Sequence, residues 1–172
     1  MLLLMYETDI AVIRRQEDEL QLPRFSKQVV WEIGLLARNL AGERGHAIGI
    51  EIVATGVPVF TTAFDGTSVG TMRWLRRKAA TVAHFDRSSY GIWLQLQSKG
   101  QTLAVRHALP DAEFAADGGG FPLRVVSAGL VGSLTISGLD QRSDHEFAVE
   151  VLCRYLGQDY ASLAQPAQPA QG

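Results

Sequence analysis

Apolar residues recur along this chain with two different periods, one typical of helices and one typical of strands. A spacing of three and four residues, as in amphipathic helices, runs through three segments: 9–22, 26–41 and 68–85. Pro23 ends the first of these segments, and Ser26 can cap the second. Strand-like patterns cover 46–54 and 57–63, and Thr55-Gly56 between them predicts the turn of a hairpin.

A glycine-rich block over residues 116–139 predicts a second hairpin. Its strands are expected at 121–126 and 130–137, and Asp140 can cap a final helix directly after them. The three glycines 118–120 open onto a strand, whereas a phosphate-binding loop opens onto the start of a helix. They therefore favour a structural loop, which could also form the rim of a pocket.

Two shorter segments are harder to assign. Residues 88–99 fit a helix capped by Ser88, but their apolar side chains also alternate as in a strand. Residues 103–107 predict a short strand. Antiparallel hairpins with helices before, between and after them indicate a single α+β domain over residues 1–160, with helices on at least one face of its sheet. The Ala/Gln/Pro-rich end, residues 161–172, predicts a disordered tail.

Composition excludes several classes of protein. The chain has 172 residues, is 47% hydrophobic and carries a formal net charge of −2, which argues against a nucleic-acid binder that relies on bulk positive charge. Its single cysteine, Cys153, allows no intrachain disulfide or thiolate cluster. No window reaches the roughly 20 apolar residues of a membrane span, and no export signal precedes Tyr6. We therefore expect a cytoplasmic protein.

Positive charge is concentrated on the third predicted helix. Between residues 72 and 87 there are five Lys or Arg residues and one acid. Trp74 and Lys78 lie four residues apart and so share a helical face, which brings an aromatic ring beside an ammonium group. Together with Arg77, this face would suit a flat anionic ligand. The alternative interpretation is a solvated basic face or a subunit contact.

No complete catalytic or metal-binding pattern is present. The histidines have no spacing typical of metal ligands, and they stand at four positions: His46, His84, His107 and His145. A lone histidine could still be an axial ligand to haem iron. No nucleophile and base form a recognisable pair, so the sequence leaves open whether the protein is an enzyme.

Several of these motifs, in this order, resemble a known family. The motifs are Trp74-Leu75-Arg76-Arg77-Lys78, Phe85 with Ser88-Ser89, Gly119-Gly120-Phe121-Pro122-Leu123, and Val131-Gly132-Ser133-Leu134-Thr135-Ile136-Ser137-Gly138-Leu139 followed by Asp144-His145. They look like the haem-degrading domain proteins, distant relatives of the GlcG and HbpS haem-binding group. The resemblance implies a profilin-like antiparallel sheet with helices packed on it and homo-oligomers. Haem is a candidate ligand through the distant relatives, and the cofactor stays unknown. Many members carry His where this chain has Asp117, and a carboxylate is a poor substitute for a histidine iron ligand.

Three functions follow as hypotheses. In the first, a planar anionic molecule such as haem binds between the basic helix and the last strands. Arg77 and Lys78 would then pair with its carboxylates, Trp74 and Phe121 would stack on its ring near Gly119, and His145 would be a ligand or donor. In the second, the protein is a non-enzymatic oligomeric scaffold or adaptor, for which the apolar segment 90–96 and Phe121-Pro122 would supply contacts. In the third, it is a hydrolase or redox enzyme unrelated to haem.

Overall fold

A computed structural model describes residues 2–166, with side chains from residue 5 onward. In this part of the chain, helices and strands follow one another in the order α1 (Leu2–Glu19), α2 (Lys27–Glu43), β1 (Gly49–Ala54), β2 (Val57–Ala63), α3 (Val69–Phe85), α4 (Ser89–Gln97), α5 (Leu103–His107), β3 (Gly120–Val125), β4 (Gly129–Ser137), α6 (Gln141–Leu156) and α7 (Tyr160–Leu163).

The four strands form one antiparallel sheet in the order β2-β1-β4-β3. Both predicted hairpins are present, and β1 pairs with β4 to join them, with Ile50 opposite Ile136 and Glu51 opposite Thr135. Helices pack on this sheet, so the predicted α+β class and its profilin-like arrangement are confirmed. The two middle strands, β1 and β4, come from different hairpins. The inner strand of each hairpin therefore needs the other hairpin as its second pairing partner.

One face of the sheet packs under α2 and α6 and is apolar. Its strand residues alternate with those of the other face, as the two-residue period of a strand requires. The inward side chains are fully or almost fully buried: Ile50, Ile52, Phe121, Leu123, Leu134 and Ile136. They share a continuous core with buried residues of α2 and α6, and Ser26 caps α2 by accepting from the Val29 amide at 3.2 Å.

The opposite face packs under α3 and is polar. Glu51, Thr135 and Ser133 point toward this side, and all three are buried. α3 contributes Leu75 and Val82 to the contact but also Lys78, whose side chain is 2% exposed. The sheet therefore separates a hydrocarbon core from a buried layer that contains charges and hydroxyl groups.

Helix α4 lies within residues 88–99, the segment whose sequence fits either a helix or a strand. It is a helix capped by Ser88, which accepts from the Gly91 amide at 3.1 Å. Tyr90 and Leu94 pack on one side against Ile13 of α1, while Ile92 and Leu96 pack on the other side with Leu103. Because the helix is buried on both sides, its sequence lacks the polar face that normally distinguishes a helix from a strand.

Two other predictions differ from the structure. Residues 103–107 form helix α5, and the predicted strand there is wrong. Thr102 caps this helix by accepting from the Val105 amide at 3.2 Å. Helix α1 ends at Glu19 rather than at Leu22. The Leu22 amide donates to Arg124 O at 2.7 Å, so the chain at Leu22 runs beside β3 instead of continuing the helix.

The described C-terminal segment contains a short helix next to the predicted domain end at residue 160. Helix α7 begins at Tyr160, and its Leu163 is 2% exposed. Gln16 Nε2 donates to Leu163 O at 2.8 Å, which attaches the segment to α1. Of the predicted disordered tail, residues 167–172 lie outside the described residues.

Candidate functional site

A buried ion pair joins α3 to α6 where β4 ends. Lys78 Nζ lies 3.0 Å from Asp144 Oδ2, and both side chains are 2% exposed. Lys78 also donates to Ile136 O at 3.1 Å, while Asp144 accepts from the Leu139 and Gly138 amides at 3.0 and 3.3 Å. Burial raises the pKa of Asp144, and the nearby Lys78 charge and these amides offset part of that rise. Both charged groups of the pair are therefore hydrogen-bonded to each other and to the backbone, as buried charges require.

The triple-glycine loop covers this ion pair. A Cβ atom at Gly119 would lie 2.1 Å from Ile136 O and 3.1 Å from Lys78 Nζ, and one at Gly118 would lie 1.7 Å from Gln141 O. Side chains at these positions would collide with backbone atoms of β4 and α6. The glycines are thus required for close approach of two backbone segments, which supports the structural interpretation of the loop.

Beside this loop, a cavity of about 230 Å³ lies between α3, α4 and the connection that follows α4. Its walls come from three parts of the chain: Trp74 and Arg77 of α3, Trp93, Leu96 and Gln97 of α4, and Gln101, Thr102, Leu103, Asp111, Phe114, Ala115, Ala116 and Asp117 of the connection. The connection is held in place through Ala115, whose amide donates to Thr81 Oγ1 at 3.1 Å. Both helices therefore contribute walls to the cavity, and the connection that forms the rest of its wall is anchored to α3.

Arg77 is the principal charged group of the cavity. Its Cζ lies 4.5 Å from the centre of the Trp74 ring, and its Nη2 donates to Phe114 O at 3.4 Å. Its Nε is buried and has no hydrogen-bond partner among the residues that the structure describes. A buried donor without a partner costs free energy.

Two further polar groups face the same space. Gln101 Oε1 is also buried and lacks a partner within residues 2–166. Burial raises the pKa of the Asp117 carboxyl, and the positive charges of Lys78 and Arg77 offset part of that rise. The cavity thus combines one arginine, two glutamine amides and two carboxyl groups with aromatic walls.

The structure separates the six residues that the sequence suggests for a ligand site. Trp74 and Arg77 line the cavity, and Lys78 Nζ lies 5.9 Å from the Trp74 ring but is paired with Asp144. Gly119 covers the ion pair. Phe121 is fully buried and packs in the core under α2 and α6. The expected stacking of Phe121 on a ligand and pairing of Lys78 with its carboxylate therefore differ from the observed positions.

His145 is enclosed as well. It has no exposed surface, and its ring lies 5.1 Å from Tyr90 and 5.8 Å from Phe121 between centres. Its Nε2 is 2.8 Å from Gln16 Oε1, whose amide nitrogen donates elsewhere, so Nε2 carries the proton. Burial lowers the pKa of His145 to about 3, with a contribution from Arg142. Its described neighbours place it away from the cavity, as a neutral residue of the interior.

Sequence reasoning missed most of the cavity residues, Trp93 and Gln101 among them. Trp93 lies on α4, whose conformation the periodicity left open. Gln101 stands in a polar connection where nothing in the local sequence marks it. Only the packing of α4 against α3 brings either residue beside Arg77.

Neither a metal centre nor a membrane span emerges from the described structure. Within residues 2–166, no group of three or more His, Cys, Asp or Glu side chains is arranged to hold a metal ion. None of the helices in that range is both long enough and apolar enough to cross a bilayer.

Together, the fold and the site define a small α+β domain with one antiparallel sheet, helices on both faces and a cavity beside a basic helix. By sequence, the chain belongs to the HbpS-like family, described as haem-degrading proteins, which it matches over residues 25–153. This confirms the family that the motifs indicate.

Individual proteins agree with this assignment. The UPF0303 protein of Burkholderia orbicola strain MC0-3 is 51% identical over 156 residues, which cover 91% of this chain and 94% of the relative. The crystal structure of Ybr137w matches with a TM-score of 0.82 at 25% identity, over 88% of this chain and 90% of that one. The PduOC:haem complex matches with a TM-score of 0.65 at 18% identity, over 75% and 93% of the two chains, which shows a shared fold.

Proposed function

We propose that this protein binds a small planar ligand with a negative charge in the cavity between α3 and α4. The observation that carries the proposal is the position of Arg77 in the cavity wall, with its Cζ 4.5 Å from the centre of the Trp74 ring. A ligand carboxylate would accept from the Arg77 guanidinium in a charge-assisted hydrogen bond, and Trp74 and Trp93 offer aromatic surface for a flat ring. Membership in a family described as haem-degrading adds support, since haem is itself a planar molecule with carboxylates.

The cavity does not fit haem iron. Iron in haem proteins is held by His, Cys, Met or Tyr, and none of these residue types is among the described residues of the cavity wall. Its volume of about 230 Å³ is also below the roughly 300–1,000 Å³ of pockets that enclose drug-sized ligands. The site therefore suits an organic acid smaller than haem, and we assign no iron ligand.

Native mass spectrometry of the protein purified from its own cells tests this proposal. We expect a bound small molecule in the wild type, retained in Arg73→Gln and lost in Arg77→Gln. Arg73 is the matched control because it is an exposed arginine on the same helix and lies outside the cavity wall. A ligand that survives Arg77→Gln would contradict the proposal. So would a wild type that carries no ligand and binds none of a set of planar acids, hemin included.

We further propose that the protein self-associates through an exposed apolar surface, the edge patch, at the β2 edge of the sheet. Its members are Val57 and Val59 of β2 and Trp31 and Leu35 of α2, which are 58%, 37%, 54% and 37% exposed. The Trp31 ring contacts the Phe60 ring of β2, with centres 6.1 Å apart. An edge strand with exposed apolar side chains favours contact with another chain.

Light scattering distinguishes this edge patch from ordinary exposed surface. We expect Val57→Asp to lower the mass in solution, and Val126→Asp to leave it unchanged. Val126 is the matched control because it is 74% exposed but follows β3 at the other edge of the sheet. A wild type that is monomeric at micromolar concentration would overturn self-association, whereas the ligand proposal would stand.

The alternative function, an oligomeric scaffold, is supported by this edge patch but not by the apolar segment 90–96. The apolar segment 90–96 was expected to fit a subunit contact, yet Tyr90, Ile92, Leu94 and Leu96 are buried within the chain itself. A scaffold role would therefore depend on the edge patch alone.

A further inference from the structure

Trp93 of α4 belongs to two parts of the structure at once. It lines the cavity between α3 and α4. It also packs with a small cluster, separate from the main core, that α1 and α4 form from Tyr6, Ile10, Ile13, Tyr90 and Leu94. One side chain therefore connects helix α1, whose described residues are not part of the cavity wall, to the proposed ligand site.

Two aromatic rings restrict the orientation of the Trp93 indole. Tyr90, on the same helix, lies parallel to it, with ring centres 5.6 Å apart and an angle of 8° between the planes. Tyr6 of α1 lies nearly perpendicular to it, with centres 6.3 Å apart and an angle of 77°. Both arrangements are favourable for aromatic pairs. Because the two rings meet the indole in different orientations, they oppose different motions of it.

The two halves of α1 are attached to the domain by different kinds of contact. After Ile13, Gln16 Nε2 donates to Leu163 O at 2.8 Å and so fixes the helix to the C-terminal segment. Before Ile13, the contacts of α1 with α4 include the Tyr6 ring against Trp93. The position of the first half of α1 and the orientation of Trp93 therefore depend on each other.

We propose that Tyr6 is a positioning residue for the ligand cavity, and that the packing of α1 on α4 regulates binding there. Tyr6 does not line the cavity itself. It acts through Trp93, because its contact favours the indole orientation that forms the cavity wall. This inference depends on the proposed function, since it concerns the regulation of the same site. By thermodynamic linkage, a ligand that contacts Trp93 also stabilises the packing of α1.

Nuclear magnetic resonance measures the orientation of Trp93 without any ligand. Three-bond couplings across the χ1 angle of Trp93 report whether one rotamer or several are populated. We expect one rotamer in the wild type and averaging in Tyr6→Leu, which removes the perpendicular ring. Tyr6→Phe keeps a ring at this position and should preserve the single rotamer.

Arg15→Gln is the matched control on the same helix. It removes another contact of α1, the hydrogen bond to Ser162 O at 3.1 Å, and Arg15 is not among the residues that pack with Trp93. If general loosening of α1 were sufficient, this variant would also show averaging. We expect it to keep the single rotamer of the wild type.

Titration of the same proteins with 2-naphthoate, a planar monoacid, measures the effect on the cavity. We expect Tyr6→Leu to bind this acid about threefold more weakly than the wild type does, because the edge contact that holds the wall in place is lost. Tyr6→Phe and Arg15→Gln should bind it as the wild type does.

The outcomes separate this inference from the proposed function. A single Trp93 rotamer in Tyr6→Leu would overturn the inference, because Tyr90 alone would then hold the indole. Averaging in Tyr6→Leu with unchanged affinity for 2-naphthoate would overturn it as well. In both cases the proposed function stands if Arg77→Gln abolishes binding. If the wild type binds neither 2-naphthoate nor any other planar acid, both fail.

Discussion

The two faces of the sheet solve the same packing problem with different chemistry. Under α2 and α6, strand residues such as Ile50 and Phe121 meet other apolar side chains, and the core is continuous. Under α3, the strands present Glu51 and Thr135, and α3 contributes Lys78. Glu51 Oε1 and Thr135 Oγ1 have no hydrogen-bond partner within the described part of the chain.

This difference in chemistry determines how each face is stabilised. An apolar core is stabilised by every contact it contains, whereas a buried polar layer is stable only if its groups are paired. The paired part of the α3 face is the Lys78–Asp144 bridge, and the unpaired part includes Arg77 beside the cavity. The polar face therefore includes buried groups that its own packing leaves unpaired.

The largest expected effect comes from adding a side chain to the glycine loop that covers the ion pair. Gly118→Ala would place a Cβ atom against the Gln141 backbone, and we expect either no folded protein or a loss of more than about 3 kcal/mol. Gly42→Ala is the control, because its Cβ would meet only the Phe64 ring at an ordinary 3.7 Å. It should change the free energy of unfolding by about 1 kcal/mol or less. Chemical denaturation measures both, and equal effects would show that the glycine loop tolerates a side chain.

A pair of substitutions then compares the two faces directly. Lys78→Met leaves Asp144 buried and unpaired, and Phe121→Ala leaves a cavity in the apolar core. Each should cost about 3–5 kcal/mol. The difference lies in rescue, because Asp144→Asn added to Lys78→Met removes the stranded charge, keeps an oxygen that can accept from the Leu139 amide and should restore much of the stability.

Urea unfolding of these variants decides the comparison. The control for Lys78→Met is Lys99→Met at an exposed site, which should be close to neutral. If the double variant is as unstable as Lys78→Met alone, the polar face depends on this ion pair for more than charge balance.

The apolar face contains a titratable residue at its rim, and this predicts a pH dependence. His145 in the folded protein has a pKa of about 3, against about 6.5 when unfolded. Between these values the unfolded chain binds the proton and the folded one does not, so stability falls as the pH is lowered. From pH 7 to pH 4 this amounts to about 3 kcal/mol.

The difference between wild type and His145→Gln isolates this effect. Both proteins lose stability in acid through their carboxylates, but only the wild type should show the additional loss below about pH 6.5. Parallel stability curves, measured by urea denaturation across this range, would contradict the buried neutral state of His145.

The smallest effect concerns the hydroxyl that attaches α4 to the glycine loop. Ser89 Oγ accepts from the Gly120 amide at 2.9 Å and donates to Asp117 O. Ser89→Ala leaves that amide unpaired and should cost about 1–3 kcal/mol. Ser98→Ala, at the more exposed end of α4, should cost less. Thermal denaturation that shows no difference between the two would mean that water replaces the hydroxyl.

Much of the fold could be predicted because its signals are local. Ser26 caps α2 and Asp140 caps α6, and the Thr55-Gly56 turn joins β1 to β2. The prediction is wrong at residues 103–107, where five residues are too few to show a period. It is ambiguous at residues 88–99, because a helix buried on two sides has no polar face.

The site could be predicted less well, for a related reason. Helical spacing places Trp74 and Arg77 together on α3, and both do line the cavity. Spacing alone could not show that Lys78 is paired with Asp144, which is 66 residues away in the sequence. Nor could it show that Phe121 and His145 are enclosed, since burial depends on which elements pack over them.

Helix α1 limits where the chain can be truncated for expression. The family match starts at residue 25, yet α1 supplies Gln16 to His145, and Glu17 accepts from the Ser88 amide at 2.8 Å and pairs with Arg87. A fragment beginning at residue 25 would lack α1. Tyr90 and Leu94 would then lose their contact with Ile13, and the Ser88 amide would lose its acceptor, Glu17. A boundary drawn by similarity would therefore cut through contacts that belong to the folded chain.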